Sequence, residues 1–261
     1  MKRKFQGVMR SSIVFSSVLL FAACGGGDDG GGGPPPNADV GGVWSGAVTI
    51  SGEPSAMVGI VTEDGRGYFV SEMPDVVYWG TVTSSGNQVT FALDGAGLLG
   101  WTFPDGSAGG AGSISGTINP RTTISANLSF TTALGANTTG AVSLEYMPDY
   151  ADDSSLALIA GNYTDTFWLM GGVFNIAGNG ELFYQDPFDG CVINGRFAII
   201  DPAYNAYDIE YSYSNCPAYS FFNGVTFRGL ATYDADFEEV VVIANGLWDG
   251  EPSGQVFVLE R

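Results

Sequence analysis

From Ile124 to Phe130 the chain alternates strictly: Ile124, Ala126, Leu128 and Phe130 are apolar, and Ser125, Asn127 and Ser129 between them are polar. Tyr207, Ile209, Tyr211 and Tyr213 repeat the pattern, with Asp208, Glu210 and Ser212 on the opposite face. A period of two sends successive side chains to opposite faces of a strand, so each run predicts a half-buried strand. Turn signals such as Asp64-Gly65 and Asn179-Gly180 break the pattern every eight to twelve residues or so and mark hairpins between strands of about six to eight residues.

The whole pattern occurs twice. GVWSG at 42–46 matches GNYTD at 161–165, and IVTEDGRGYFV at 60–70 matches NIAGNGELFYQ at 175–185. YWGTVT at 78–83 matches INGRFA at 193–198, ISGTI at 114–118 matches FRGLA at 227–231, and AVSLEY at 141–146 matches QVFVLE at 255–260. The offsets of 119, 115, 115, 113 and 114 are nearly constant and indicate a duplicated unit. Pro148 and three aspartates interrupt the strand pattern between the copies, which divides the chain into domains at 41–148 and 156–261 with a linker at 149–155. About eight meandering strands per copy predict an all-β protein of two tandem small antiparallel up-and-down β-barrels, closure removing the exposed edges. A pair of β-sandwiches is the alternative. Gly42-Val43-Trp44 resembles the Gly-x-Trp opening of the lipocalin and avidin-like calycin barrels, with Gly161-Asn162-Tyr163 at that place in the second copy. Arg261 on the last strand resembles the arginine that packs over the barrel bottom in those families, where the first copy has Tyr146. A single membrane-spanning barrel is not expected, because its strands need about nine to eleven residues.

A basic segment (Lys2, Arg3, Lys4, Arg10) precedes the apolar run IVFSSVLLFAA at 13–23. A transmembrane helix needs about twenty apolar residues, so residues 1–23 read as a signal peptide. The sequence FAAC at 21–24 resembles the bacterial lipobox, with Phe21 where leucine is usual. The resemblance implies lipidation of Cys24 and cleavage before it, and Gly25 in place of aspartate implies export to the outer membrane of a Gram-negative bacterium. The Gly, Asp and Pro residues of 25–36 offer no apolar surface to bury, so 24–40 reads as a lipidated cysteine on a disordered tether.

Charge narrows the partners. After Ala23 there are five arginines (66, 121, 196, 228 and 261), no lysine and all twenty-eight carboxylates, a net charge of −23. Such a surface repels nucleic acid and anionic headgroups, leaving the lipid on Cys24 as the membrane contact. The chain has no histidine, which excludes Ser-His-Asp and Cys-His catalysis, and nothing selects a catalytic pair from the carboxylates; no cofactor or metal site is expected. Tyr233 to Glu239 alternates acids but lacks the frame of an EF-hand loop and reads as an acidic hairpin turn. Cys191 and Cys216 flank Asp201 to Asn205; pairing Asp201 with Ala206 gives cross-strand partners summing to 407, which places the two cysteines opposite one another for a structural disulfide. Trp44 in the first copy, and Trp168, Phe197, Tyr207, Tyr211 and Tyr213 in the second, either fill the barrels or line a ligand cavity. The function expected is a non-catalytic, membrane-anchored envelope module that binds a small ligand or an envelope protein. A structural or assembly lipoprotein with filled barrels comes second, and a carboxylate-dependent hydrolase third.

Overall fold

The computed structural model describes residues 37–72, 75–167, 171–218 and 220–261. The signal peptide, Cys24, most of the tether and Trp168 lie outside the described residues. The protein is all-β, with two closed antiparallel barrels of eight strands in tandem. The first contains β1 (Gly42–Ile50), β2 (Glu53–Val61), β3 (Arg66–Glu72), β4 (Asp75–Ser85), β5 (Gln88–Gly97), β6 (Gly109–Asn119), β7 (Thr123–Thr132) and β8 (Asn137–Met147). A 3₁₀ turn (Pro148–Ala151) and a single-turn helix, α1 (Leu156–Ile159), connect it to the second. That barrel contains β9 (Gly161–Asp165), β10 (Phe174–Ile176), β11 (Glu181–Gln185), β12 (Val192–Ile199), β13 (Tyr207–Ser214), β14 (Thr226–Asp234), β15 (Glu239–Trp248) and β16 (Glu251–Glu260). Each strand pairs with its sequence neighbours, and the matched segments of the internal repeat occupy equivalent strands of the two rings.

The strands are not of the uniform six to eight residues that the turn signals predict. Those of the first barrel run from seven to eleven residues, while β10 has three. Several glycines lie inside strands, where close packing requires them: a Cβ on Gly59 would fall 2.0 Å from the Phe69 ring. The greater length does not make a membrane barrel. On β7 the apolar Ile124, Ala126, Leu128 and Phe130 point inward and Ser125, Asn127 and Ser129 face solvent, the inverse of a lipid-facing strand.

The second barrel is the less completely zipped. β8 closes on β1 through eight residue pairs, whereas β16 meets β9 only at Leu259↔Asp165 and Glu260↔Thr164. The open flank of β16 is covered by the β5–β6 loop of the first barrel: Leu98 bridges Gly254 in parallel, Leu99 N–H donates to the Gly254 carbonyl at 3.0 Å, and Gly100 N–H donates to Ser253 Oγ at 3.1 Å. Outward-facing residues of both rings continue this seam as a shared apolar layer. Val58, Val70 and Val77 pack with Val241, Ile243, Val256 and Val258, and Ile60 joins Leu230 under Tyr150. Burial on both faces makes β2, β15 and β16 near-continuous apolar runs rather than alternating ones.

Candidate functional site between the barrels

The interiors are occupied by side chains. Trp44 is fully buried in the first barrel, its indole N–H directed at the Val40 carbonyl (3.3 Å) and its ring edge-on to Tyr146. The void beneath Val40, among Val61, Phe69 and Phe91, measures about 20 Å³, room for about one water and far below the roughly 300 Å³ of a ligand pocket. Phe197, Tyr207, Tyr211 and Tyr213 are buried together in the second barrel. Tyr211 stacks on Phe227 and Tyr213 on Phe222. Tyr211 Oη donates to Gln255 Oε1 at 2.7 Å, Gln255 Nε2 donates to Tyr213 Oη, and Tyr207 Oη donates to the Ser155 carbonyl at 3.2 Å. Arg261 closes the bottom of this barrel, donating to the Leu158 and Ala160 carbonyls and lying 5.3 Å from the Tyr163 ring centroid.

Cys191 and Cys216 form a disulfide with Cα atoms 4.0 Å apart. The register differs from the expected sum of 407: β12 and β13 pair with a sum of 406, as in Val192↔Ser214 and Ile199↔Tyr207. Asp201 to Tyr204 forms a β-turn, with Tyr204 N–H donating to the Asp201 carbonyl at 3.1 Å, but the turn does not close the hairpin directly, because Asn205 is drawn away. Its Nδ2 donates to the Tyr233 carbonyl at 2.6 Å and its Oδ1 accepts from Tyr233 N–H at 3.1 Å, while its own N–H donates to the Tyr150 carbonyl. Asn215, at φ 52°, supplies the extra residue that brings Cys216 back to Cys191.

That register builds a polar row on the outer face of the second barrel. Glu181 on β11 lies opposite Arg196 on β12, Arg196 opposite Glu210 on β13, Glu210 opposite Arg228 on β14, and Arg228 opposite Asn245 on β15. From the first barrel Arg66 and Tyr68 on β3 reach across. Arg66 Nη1 bonds Asp208 Oδ1 at 2.5 Å and its Nε bonds Asp64 Oδ2 at 3.0 Å, and Tyr68 Oη donates to Asn245 Oδ1 at 2.8 Å. Burial alone would lower the Arg66 basicity, but the bonds and charges of Asp208 and Asp64 hold it above the usual guanidinium value. Between the two barrels these residues enclose a groove of about 490 Å³ lined by Arg66, Tyr68, Arg196, Asp208, Glu210 and Arg228. Arg228 Nε bonds Glu210 Oε2 at 2.7 Å. Arg196 alone of the five arginines makes no ion pair among the described residues.

A second titratable cluster lies where the chain enters the first barrel. Burial, and then the Asp39 carboxyl hydrogen-bonded to it, push Glu63 up to about 7. Asp39 also pairs with Arg121 at 3.5 Å. Glu63 borders a hollow of about 270 Å³ with the stacked rings of Tyr150 and Tyr204. Asp234 in the acidic β14–β15 turn accepts from the N–H groups of Asp236 and Phe237. Among the described residues no group of three or more acidic, cysteine or histidine side chains is placed to hold a metal ion. Comparison with protein-family models, curated sequences and solved structures finds no match.

Proposed function

We propose that the chain is a membrane-anchored lipoprotein of a Gram-negative outer membrane, and that its paired barrels form a non-catalytic binding module. The ligand is received in the groove between the barrels rather than inside either one. The observation that carries this reading is the placement of chemistry: aromatic side chains fill the barrels, while three of the five arginines after Ala23 border the largest hollow described. Asp208 and Glu210 lie in the same groove, but each is engaged by a guanidinium, Asp208 by Arg66 and Glu210 by Arg228, so both belong to the ion pairs that build the groove. A calycin-like ancestry is supported by Trp44 at the foot of β1 and Arg261 under the second barrel. The anchor is supported by the lipobox-like FAAC after a short apolar run. The filled interiors equally favour a structural or assembly lipoprotein without a small ligand.

A thermal-shift screen of the full-length protein against neutral and charged small molecules separates the two. A binding module yields a saturable stabiliser whose effect disappears in Ala198→Trp, which plugs the groove from β12. No stabiliser, or one that acts equally on Ala198→Trp, overturns the groove as the site. For the anchor, Cys24→Ala should abolish membrane partition and change the mass of the mature amino terminus; unchanged processing and partition would overturn it.

A further inference from the structure

We infer that the groove recognises a hydroxylated ligand bearing a single carboxylate, a sugar acid of the uronate type, with Arg196 as the residue that reads the charge. This rests on the groove being the ligand site. The polar groups left over in the row define what is missing. Arg196 offers a planar fork of N–H donors and has no carboxylate of its own, although Glu181 and Glu210 stand directly across from it on the two neighbouring strands. A row built only to stabilise the sheet would pair it with one of them. Arg228 commits Nε to Glu210 and keeps both Nη groups, and it is two strand spacings from Arg196, about 9.6 Å between Cα atoms. A carboxylate matches such a fork through two parallel N–H···O bonds.

The carboxylates of the groove ask for donors instead. Asp208 engages Arg66 through Oδ1 and Glu210 engages Arg228 through Oε2, which leaves Asp208 Oδ2 and Glu210 Oε1 to accept bonds from hydroxyl groups. The ring of Tyr68 stands half-buried on the opposite wall, tethered to Asn245 by its hydroxyl, and provides an apolar surface for a sugar ring. One ligand thus needs an anionic acceptor for Arg196 and several O–H donors for Asp208 and Glu210. A polyanion is disfavoured by the net charge of −23 after Ala23, whereas a single charge met by a bidentate bond is not. The hollow of about 490 Å³ has room for one or two sugar rings.

Calorimetric titration of the full-length protein with glucuronate and galacturonate, their parent hexoses, and inorganic phosphate tests this. Saturable uronate binding about tenfold or more tighter than that of the hexoses is expected, with Arg196→Gln removing that preference while leaving the melting temperature unchanged. Equal affinity for uronate and hexose, or a preference that survives Arg196→Gln, overturns the inference. So does phosphate binding as tightly as uronate, which would mark a bare oxyanion site, and so does the absence of uronate binding. A neutral stabiliser lost in Ala198→Trp, found alongside a failed uronate titration, would sink the sugar-acid inference and leave the groove reading standing.

Discussion

Glu239 occupies a costly position. It is only 6% exposed, at the start of β15 beside Val43, Val58 and Ile60 of the other barrel. Burial, and then the charges of Asp234 and Glu260, push it up to about 7 from 4.5. The folded state therefore retains a proton that the unfolded chain has already released, and stability falls as pH rises from about 4.5 through 7. Denaturant unfolding should show Glu239→Gln more stable than the parent at pH 8, on the order of 2 kcal/mol, and nearly equal to it at pH 4. Equal gains at both pH values would mean that packing, not ionisation, sets the difference. Asn205 is the opposite case, a buried polar side chain with its bonds made. Replacing it with alanine strands the Tyr233 backbone groups and should cost about 2–3 kcal/mol, read as a lower denaturation midpoint with an unchanged slope.

At the scale of the elements, the hairpin β12–β13 shows what was legible and what was not. The strands and their inward faces follow from alternation, whereas the disulfide between Cys191 and Cys216 forms as expected but not through the register of 407 from which it was expected. The register required one more step. Ile193 and Phe197 face the same core as Tyr207, Ile209, Tyr211 and Tyr213 only if cross-strand partners sum to an even number, so the alternation itself excludes 407. An odd sum would have set the charged Arg196 against the buried Tyr211, whereas the even one sets it against Glu210 and forms the row that floors the groove. The loop hid this, because the demands of Asn205 on β14 and the linker are tertiary and leave no local mark. Opening the disulfide by a Cys191→Ala, Cys216→Ala double substitution releases a loop with a sequence separation of 25 and should lower stability by about 3 kcal/mol without unfolding the first barrel, which urea melts followed by the amide NMR signals of the two barrels separately would register.

Over the whole molecule, the duplication and the two rings were legible from the repeat, and their association was not. Outward apolar residues on β2, β15 and β16 register in a sequence only as strands lacking alternation, and nothing local says which surface covers them. The seam makes the two halves unequal. The first barrel closes on itself through a full ladder, whereas the second depends on Leu98 and Leu99 to cover β16. Residues 37–155 expressed alone should therefore melt cooperatively, while residues 156–261 alone should aggregate or remain partly unfolded by circular dichroism; a cooperative melt of the second fragment would refute this dependence. Gly254→Val tests the same contact in the intact chain, because a Cβ there would lie 2.5 Å from that of Val77. That variant should be destabilised by about 1–3 kcal/mol.

The bridge between Leu98 and Gly254 also sets an order in time. A chain is made amino terminus first, and domains tend to fold as units in that order. β16 emerges after the other strands of both barrels, and the surface that covers its open flank belongs to a barrel completed more than a hundred residues earlier. The first barrel thus acts as a template on which the second is finished, and a slow first barrel would leave the second with an open edge at the moment when it is most exposed to other unfolded chains.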